Sequence, residues 1–477
     1  MRKLSSNMVK KILVEDITRD HELNKNNKNN KKVGFRHPLS IKPCSLSIKL
    51  KQLLKSLGPG VITGASDDDP SGIATFSQAG AKFGFGMLWL VLFQYPIMTV
   101  IQEMCARIGL VTAGGLAAVI KKKYSKKVVF PIASLLFIAN TINIGADIGA
   151  MSASIRLIFP QIPIILATIS FAAFILTTEI LVPYKNYVKI LKYLTLCLFA
   201  YVITAIIVGG NWNQIIVATI VPHIEFTPEF AMMFVAIFGT SISPYLFFWQ
   251  ASEEAEEDVV KHKIKEISSS DKGNIPNISQ KEVKAMRSDI AVGIALSHFI
   301  MWTIILTTAG SLYANDITDI QTAEQAAKAL EPLVKSFPNA GQISEVIFAL
   351  GIIGTGLLAV PVLAGSAGYA LSDGFGWKQG LNKKFKNAKA FYLTIAAATL
   401  IGLCINFINL DPIKALVYAA VINGVVAVPI LIAVIKIAND KKIMQSRTNG
   451  TISNVIGWTT IMIMSVSVII MFLTWDK

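Results

Sequence analysis

Long apolar blocks alternate with short polar segments along the whole chain. The blocks fall at about 57–80, 86–110, 128–157, 162–182, 188–209, 229–252, 288–312, 342–370, 388–408, 412–436 and 453–474. A helix needs about 20 consecutive apolar residues to cross about 30 Å of hydrocarbon, and each block is about that long. The pattern predicts an all-α polytopic membrane protein with eleven transmembrane helices. Two blocks break the rule for a membrane helix. GPGVITGASDDDPSGIATFSQAG (Gly58 to Gly80) places three aspartates, a proline and several glycines inside the first span, and FGTSISPYLFFWQ (Phe238 to Gln250) places Ser-Pro at the centre of the sixth. Proline removes a helical N–H and clashes with the preceding turn. Unwound backbone survives at membrane depth only where protein buries it or a watery cavity receives it. Spans 1 and 6 each open a set of five. Interrupted helices at corresponding positions of two halves predict an inverted repeat around a midplane substrate site. The expected division is repeat one at 57–209, repeat two at 229–436 and an extra helix at 453–474.

Composition narrows the class. The 477 residues are 53% hydrophobic and 16% charged, against about 25% charged in soluble proteins. A secreted enzyme, a cytosolic enzyme and a disordered scaffold are excluded. Residues 1–50 hold 12 Lys/Arg against 4 Asp/Glu and no apolar core. They read as a disordered basic cytoplasmic tail, not a cleaved signal, with residues 51–477 forming the transmembrane domain. The net charge of +15 reflects topology, not nucleic-acid binding. Lysines gather in the even-numbered connections, as in KKKYSKK (Lys121 to Lys127), at Lys185 and Lys189, in 253–287, from Lys378 to Lys389, and from Lys436 to Arg447, whereas 209–231 has none. The positive-inside rule then puts the N-terminus in the cytoplasm and, after eleven spans, the C-terminus outside. The Lys-, Asn- and Ile-rich composition suggests a low-GC bacterium, hence its inner membrane. Cys44, Cys105, Cys197 and Cys404 form no CxxC pair, so neither a disulfide framework nor a zinc site is indicated.

Asp67, Asp68 and Asp69 carry the chemistry of the first break. Intramembrane acids are expensive and demand a partner. An unwound Asp-Pro-Ser-Gly also frees backbone carbonyls, and carboxylate plus carbonyls suits hard divalent cations. Asp69 abuts the break and is the leading ligand. Asp67 and Asp68 either line the site or solvate a vestibule beside it.

GPGVITGASDDDPSGIATFSQAGAKFGFGMLWLVLF followed by IQEMCARIGLVTAGGLA resembles the first two helices of the Nramp (natural resistance-associated macrophage protein) divalent-metal transporters. The likeness extends over about residues 55–474. It implies a LeuT-like fold with helices 1–5 and 6–10 as inverted repeats and an extra helix 11. It also implies a membrane importer of divalent metal, not an enzyme, with the metal as cargo and no cofactor, acting as a monomer in the bilayer. The family's helix-1 Asp-Pro-Gly-Asn stands here as Asp69, Pro70, Ser71 and Gly72. Its helix-6 Met-Pro-His stands as Ser243, Pro244 and Tyr245, after Gly239 and Thr240. The resemblance therefore implies Asp69, Gly72, Thr240, Ser243 and Tyr245 as the site, with Asp67, Asp68 and Asn423 at its margin. Three departures bear on selectivity. The asparagine ligand is Gly72, the soft methionine is Ser243 and the histidine is Tyr245. Thioether sulfur favours softer ions over Mg²⁺ and Ca²⁺, and Mg²⁺ keeps several waters and needs room. The pattern looks like the Nramp-related magnesium transporter branch, so Mg²⁺ and Mn²⁺ are the expected cargo. Proton coupling in the family uses that histidine and an acidic pair on helix 3. Here the histidine is absent and span 3 offers only Asp147, so uncoupled uptake is expected, with a proton-coupled Mn²⁺/Fe²⁺ carrier as the alternative.

Other polar residues in the spans have two readings each. His298 is a proton relay or, preferably, a packing residue. Asn423 faces the cavity or bridges helices, and Asn140 and Asn143 preferably bridge helices. Glu253, Glu254, Glu256, Glu257 and Asp258 focus cations or, preferably, form a solvated helix end paired with nearby lysines. Met232, Met233, Met462 and Met464 are packing residues. Two other classes compete. A carrier of amino acids or organic cations on the same fold would meet Asp69, which disfavours an anionic group. A membrane-embedded Mg²⁺-dependent transferase would need basic side chains for its diphosphate, and none stands between Asp69 and Lys82.

Overall fold

The computed structural model describes residues 59–182, 194–260, 278–408 and 411–474. The basic tail expected at 1–50 and most of the Lys-rich connection after span 6 lie outside the described residues. Every regular element among the described residues is helical. The first span is split into α1 (Pro59–Asp67) and α2 (Pro70–Phe83), and α3 (Trp89–Thr112) is the second. The short α4 (Leu116–Tyr124) leads into α5 (Lys126–Ile158), and α6 (Ile164–Leu181) is the fourth span. The fifth ends in α7 (Phe199–Val208) and is followed by the short α8 (Trp212–Ile220). The sixth is split into α9 (Pro228–Ser241) and α10 (Pro244–Val260). Then come α11 (Gln280–Ser311), the short α12 (Ala323–Ala327) and α13 (Glu331–Val334), and α14 (Ala340–Phe375). Helices α15 (Lys389–Ile405), α16 (Pro412–Ala438), the short α17 (Lys441–Met444) and α18 (Thr451–Thr474) complete the chain.

Eight of these spans, counting the split sixth as one, are individually long and apolar enough to cross a membrane. The other three expected spans differ for physical reasons. The first is two half-helices, the second carries Gln94, Gln102, Glu103 and Arg107, and part of the fifth lies outside the described residues.

Both splits have the same cause. Pro70 and Pro244 each begin a second half-helix. Proline suits a first helical position, where an N–H would be unpaired in any case, and it pushes the preceding residue out of helical geometry. Asp69 accordingly sits at φ −70°, ψ 172°.

The split helices lie between two sets of neighbours. α5 runs along α14, α15 and α16, while α1 and α2 pack on α11, α9 on α16 and α10 on α3. α6 turns Ile165 and Leu166 outward, and α18 turns Ile469, Phe472 and Leu473 outward, as lipid-facing helices must. Close backbone approach makes the inner contacts possible. A Cβ on Gly64 would collide with the Gly293 carbonyl of α11, so α1 and α11 touch backbone to backbone. Such small-residue contacts are the usual means of tight helix association in lipid.

Buried charge ties the ends of the helices. Glu103 on α3 accepts from Arg107 Nε and Arg287 Nε, both at 2.9 Å. Arg107 also donates to the Arg447 carbonyl and to Asn449 in the connection before α18. The acidic end of span 6 corrects an expectation. Glu254, Glu256 and Asp258 are buried, so this is not a solvated helix end. The reason is local hydrogen bonding. Glu256 accepts from Tyr369 Oη at 2.5 Å, Leu381 N at 2.8 Å, and Asn382 N and Nδ2 at 3.3 and 2.5 Å, which pins α10 to α14 and the chain following it.

Gly239→Ala tests the contact between α9 and α16. The new Cβ would run into the Ala420 carbonyl, so the helices must separate. The expected cost is about 1–3 kcal/mol, read as a lower thermal midpoint of the detergent-purified protein.

Candidate functional site

The break in the first span is organised by Asp69. Its Oδ1 accepts from Gly72 N at 2.7 Å and from Ser71 Oγ at 2.9 Å, so the carboxylate is the N-cap of α2. Its Oδ2 accepts from Asn143 Nδ2 of α5 at 3.1 Å. Asp67 closes α1, and Ser297 Oγ of α11 lies 2.8 Å from Asp67 Oδ2 and 3.2 Å from Asp68 Oδ1. A hydroxyl has one proton to donate, so it cannot satisfy both carboxylates at once.

The second break is tied to the first. Tyr245 Oη donates to the Ser66 carbonyl at 2.8 Å, and Thr63 Oγ1 donates to Gln250 Oε1 at 2.5 Å. These bonds stitch α1 to α10 and satisfy a carbonyl that the end of α1 would otherwise leave unpaired. Ser243 Oγ lies 2.6 Å from the Gly239 carbonyl and 2.7 Å from that of Thr240. Its proton is turned onto its own helix, and only its lone pairs can face a ligand.

The expected site residues therefore take different places. Gly72 and Thr240 meet directly, since a Cβ on Gly72 would lie 3.3 Å from Thr240 Oγ1. Thr240 Oγ1 is buried with no hydrogen-bond partner. Asn423 is also buried, and neither side-chain atom has a partner. It precedes Gly424, which packs against Gly239 and Val235 of α9. Asn140 bridges helices, donating to the Leu363 carbonyl of α14 at 2.8 Å. His298 is buried, with Nε2 lacking a hydrogen-bond partner. Its Nδ1 lies 3.0 Å from the Ile294 carbonyl and its ring meets Tyr95 edge-on.

Asn143 also bridges helices, from α5 to Asp69 at the start of α2. Ser297 and Gln250 carried no sequence signal of their own. Asn143 and Asp147 did carry one. They are four residues apart, on the face of α5 opposite Gly145 and Gly149, which pack on Gly402 and Asn406. Polar residues at that spacing on a membrane helix share one side.

The fold and site can now be set beside known proteins. The family model described as "Natural resistance-associated macrophage protein-like" matches residues 60–474. The chain belongs to the Nramp family. Within that family it is 23% identical over 420 residues to "Divalent metal cation transporter MntH" of Caldanaerobacter subterraneus subsp. tengcongensis, covering 86% of this chain and 91% of the relative. It is 24% identical over 437 residues to the protein of the same name from Clostridium acetobutylicum, covering 90% and 93%. Among solved structures, this Nramp-family fold is similar to the Eremococcus coleocola manganese transporter in complex with an aromatic bis-isothiourea substituted compound. That match has TM-score 0.68 and 16% identity, and covers 93% of this chain and 90% of the other. It also resembles MhsT in complex with L-phenylalanine, at TM-score 0.57 and 12% identity, covering 87% and 98%. The architecture is LeuT-like, with the first and sixth helices broken.

Because Asp69 caps α2, its substitutions separate folding from charge. Asp69→Ala removes the cap and is expected to cost about 1 kcal/mol, whereas Asn is an equally good cap and should cost little. Thermal midpoints in detergent should rank wild type close to Asp69→Asn and above Asp69→Ala.

Proposed function

We propose that this Nramp-family chain carries divalent metal cations through the bilayer, with the hard ions Mg²⁺ and Mn²⁺ as preferred cargo. One observation supports this most. Asp67, Asp68, Asp69 and Asp147 are all buried around the first break. Among the described residues the only buried Lys or Arg is Arg107, already held by Glu103. Burying one carboxylate without a partner costs several kcal/mol, so in its ionised form this cluster calls for cations from outside the chain. An amino-acid cargo would bring its own carboxylate to the same place and meet repulsion. A diphosphate substrate would find no basic side chain buried there.

Oxygen donors support the choice of ion. Asp69, Thr240 and Asn423 offer oxygens, Ser243 stands where the resemblance places a methionine, and Gly72 leaves room for retained water. Tyr245 at the place of the histidine, its hydroxyl bound to Ser66, supports uptake without obligatory proton flow. The membrane potential supplies about 2.3 kcal/mol per charge per 100 mV, roughly twice that for a divalent ion, and this is enough to drive import. The lysine-rich even connections support a cytoplasmic N-terminus and an outer C-terminus. The proposed repeats run from 57 to 209 and from 229 to 436.

The test is flux into liposomes carrying the purified protein. A Mg²⁺-sensitive dye reports the ion, valinomycin imposes the potential, and a second dye follows lumenal pH. Saturable Mg²⁺ influx that Asp69→Ala abolishes, with no acidification, is the expected result. Mn²⁺ influx with acidification and no Mg²⁺ influx would instead identify a proton-coupled Mn²⁺/Fe²⁺ carrier.

A further inference from the structure

We infer that Asp147 is a second carboxylate ligand of the transported cation, opposing Asp69 across the first break. The inference rests on the transport reading above and adds to it a residue on the third span.

Three observations place Asp147 at the break. Asn143, one turn earlier on α5, donates to Asp69 Oδ2 at 3.1 Å. Met151, one turn later, and Pro70 border the same point on α14, beside Gly356. Met151 Sδ is 2.5 Å, and Pro70 Cγ is 3.3 Å, from the point where a Cβ on Gly356 would stand. Asp147 is midway between these contacts on the same helical face. It is close enough to interact electrostatically with Asp69 and with the backbone N–H of Ser71.

Asp147 is fully buried, and neither of its oxygens makes a well-formed hydrogen bond, the backbone N–H of Ser71 being a weak contact. Asp69 is in the opposite condition. Three donors already hold it, two of them on Oδ1 as the helix cap. Its Oδ2 keeps a lone pair, but its geometry is set by α2. Unpartnered carboxylate oxygens in a protein interior are rare and call for an explanation. The neighbourhood supplies one, because other buried oxygens stand unpartnered around the same break. They are Asn143 Oδ1 on the residue that touches Asp69, and Thr240 Oγ1 facing Gly72. A cation between Asp69 Oδ2 and Asp147 would satisfy these groups together. Two carboxylates would balance a divalent charge, and neutral oxygens would complete a shell of the kind hard cations take, directly or through water.

A structural role for Asp147 predicts the opposite of a ligand role in the absence of metal. With no well-formed hydrogen bond to lose, Asp147→Asn should leave the metal-free thermal midpoint in detergent unchanged or raise it, while a structural carboxylate would lower it. Added Mn²⁺ or Mg²⁺ raises the midpoint of any protein that binds it in the folded state. In Asp147→Asn that rise should require about tenfold or more metal, the loss typical of a charged ligand contact. Half-saturation for flux should move by the same factor, and Asp147→Glu, which keeps the charge, should recover part of it. A metal response in Asp147→Asn equal to that of wild type would overturn the inference and leave the transport reading intact. A wild-type protein that neither responds to Mn²⁺ or Mg²⁺ nor carries them would overturn both.

Discussion

A helix interrupted inside a bilayer exposes carbonyls at one new end and N–H groups at the other, and lipid offers neither a partner. That shortage governs the centre of this molecule. The carbonyl of Ser66 is taken by Tyr245 from the other broken helix, and the N–H of Gly72 by Asp69. The hydroxyl of Ser243 lies within reach of the Gly239 and Thr240 carbonyls and donates its one proton there. Each break thus closes with short polar side chains, and those side chains bring oxygen to a place that would otherwise be apolar. The proposed cation site and the repair of the backbone draw on one set of residues.

The surrounding helices hold this arrangement by two kinds of contact. Where α1 meets α11, and α9 meets α16, glycines let backbone reach backbone and exclude everything else. At the helix ends, hydrogen-bonded charges do the same work electrostatically. Glu103 is shared by two guanidiniums, and Glu256 is clasped by a tyrosine and a following loop. These two acids are held by several donors each, while Asp67 and Asp147 at the first break keep oxygens without a well-formed hydrogen bond.

The membrane architecture was legible in the sequence because hydrophobic block length and the two Pro-centred interruptions follow from local chemistry. Asp69 was legible for the same reason, since Asp-Pro in an apolar block has few explanations. The bond from Asn143 to Asp69 and the shared Ser297 were not, because they depend on which face of α5 or α11 meets the break, and only packing decides that. Ser243 and Tyr245 show the converse. Their positions were evident, but their hydrogen-bond partners belong to backbone that sequence does not reveal. The acids at the end of span 6 read as a wet surface because runs of Glu usually are; Glu256 among them is held by a loop more than a hundred residues away.

The double duty of Asp69 restricts how such a site changes over generations. The position that begins α2 accepts Asp, Asn, Ser or Thr, whose short side chains can bond back to the first turn. Glutamate keeps the charge but is not among the favoured caps. A descendant can therefore discard the charge here and still fold, but lengthening the acid sacrifices the start of the helix. On the proposed reading, a change of cargo would fall on neighbours such as Gly72, Thr240 and Ser243, whose side chains can vary without removing that cap.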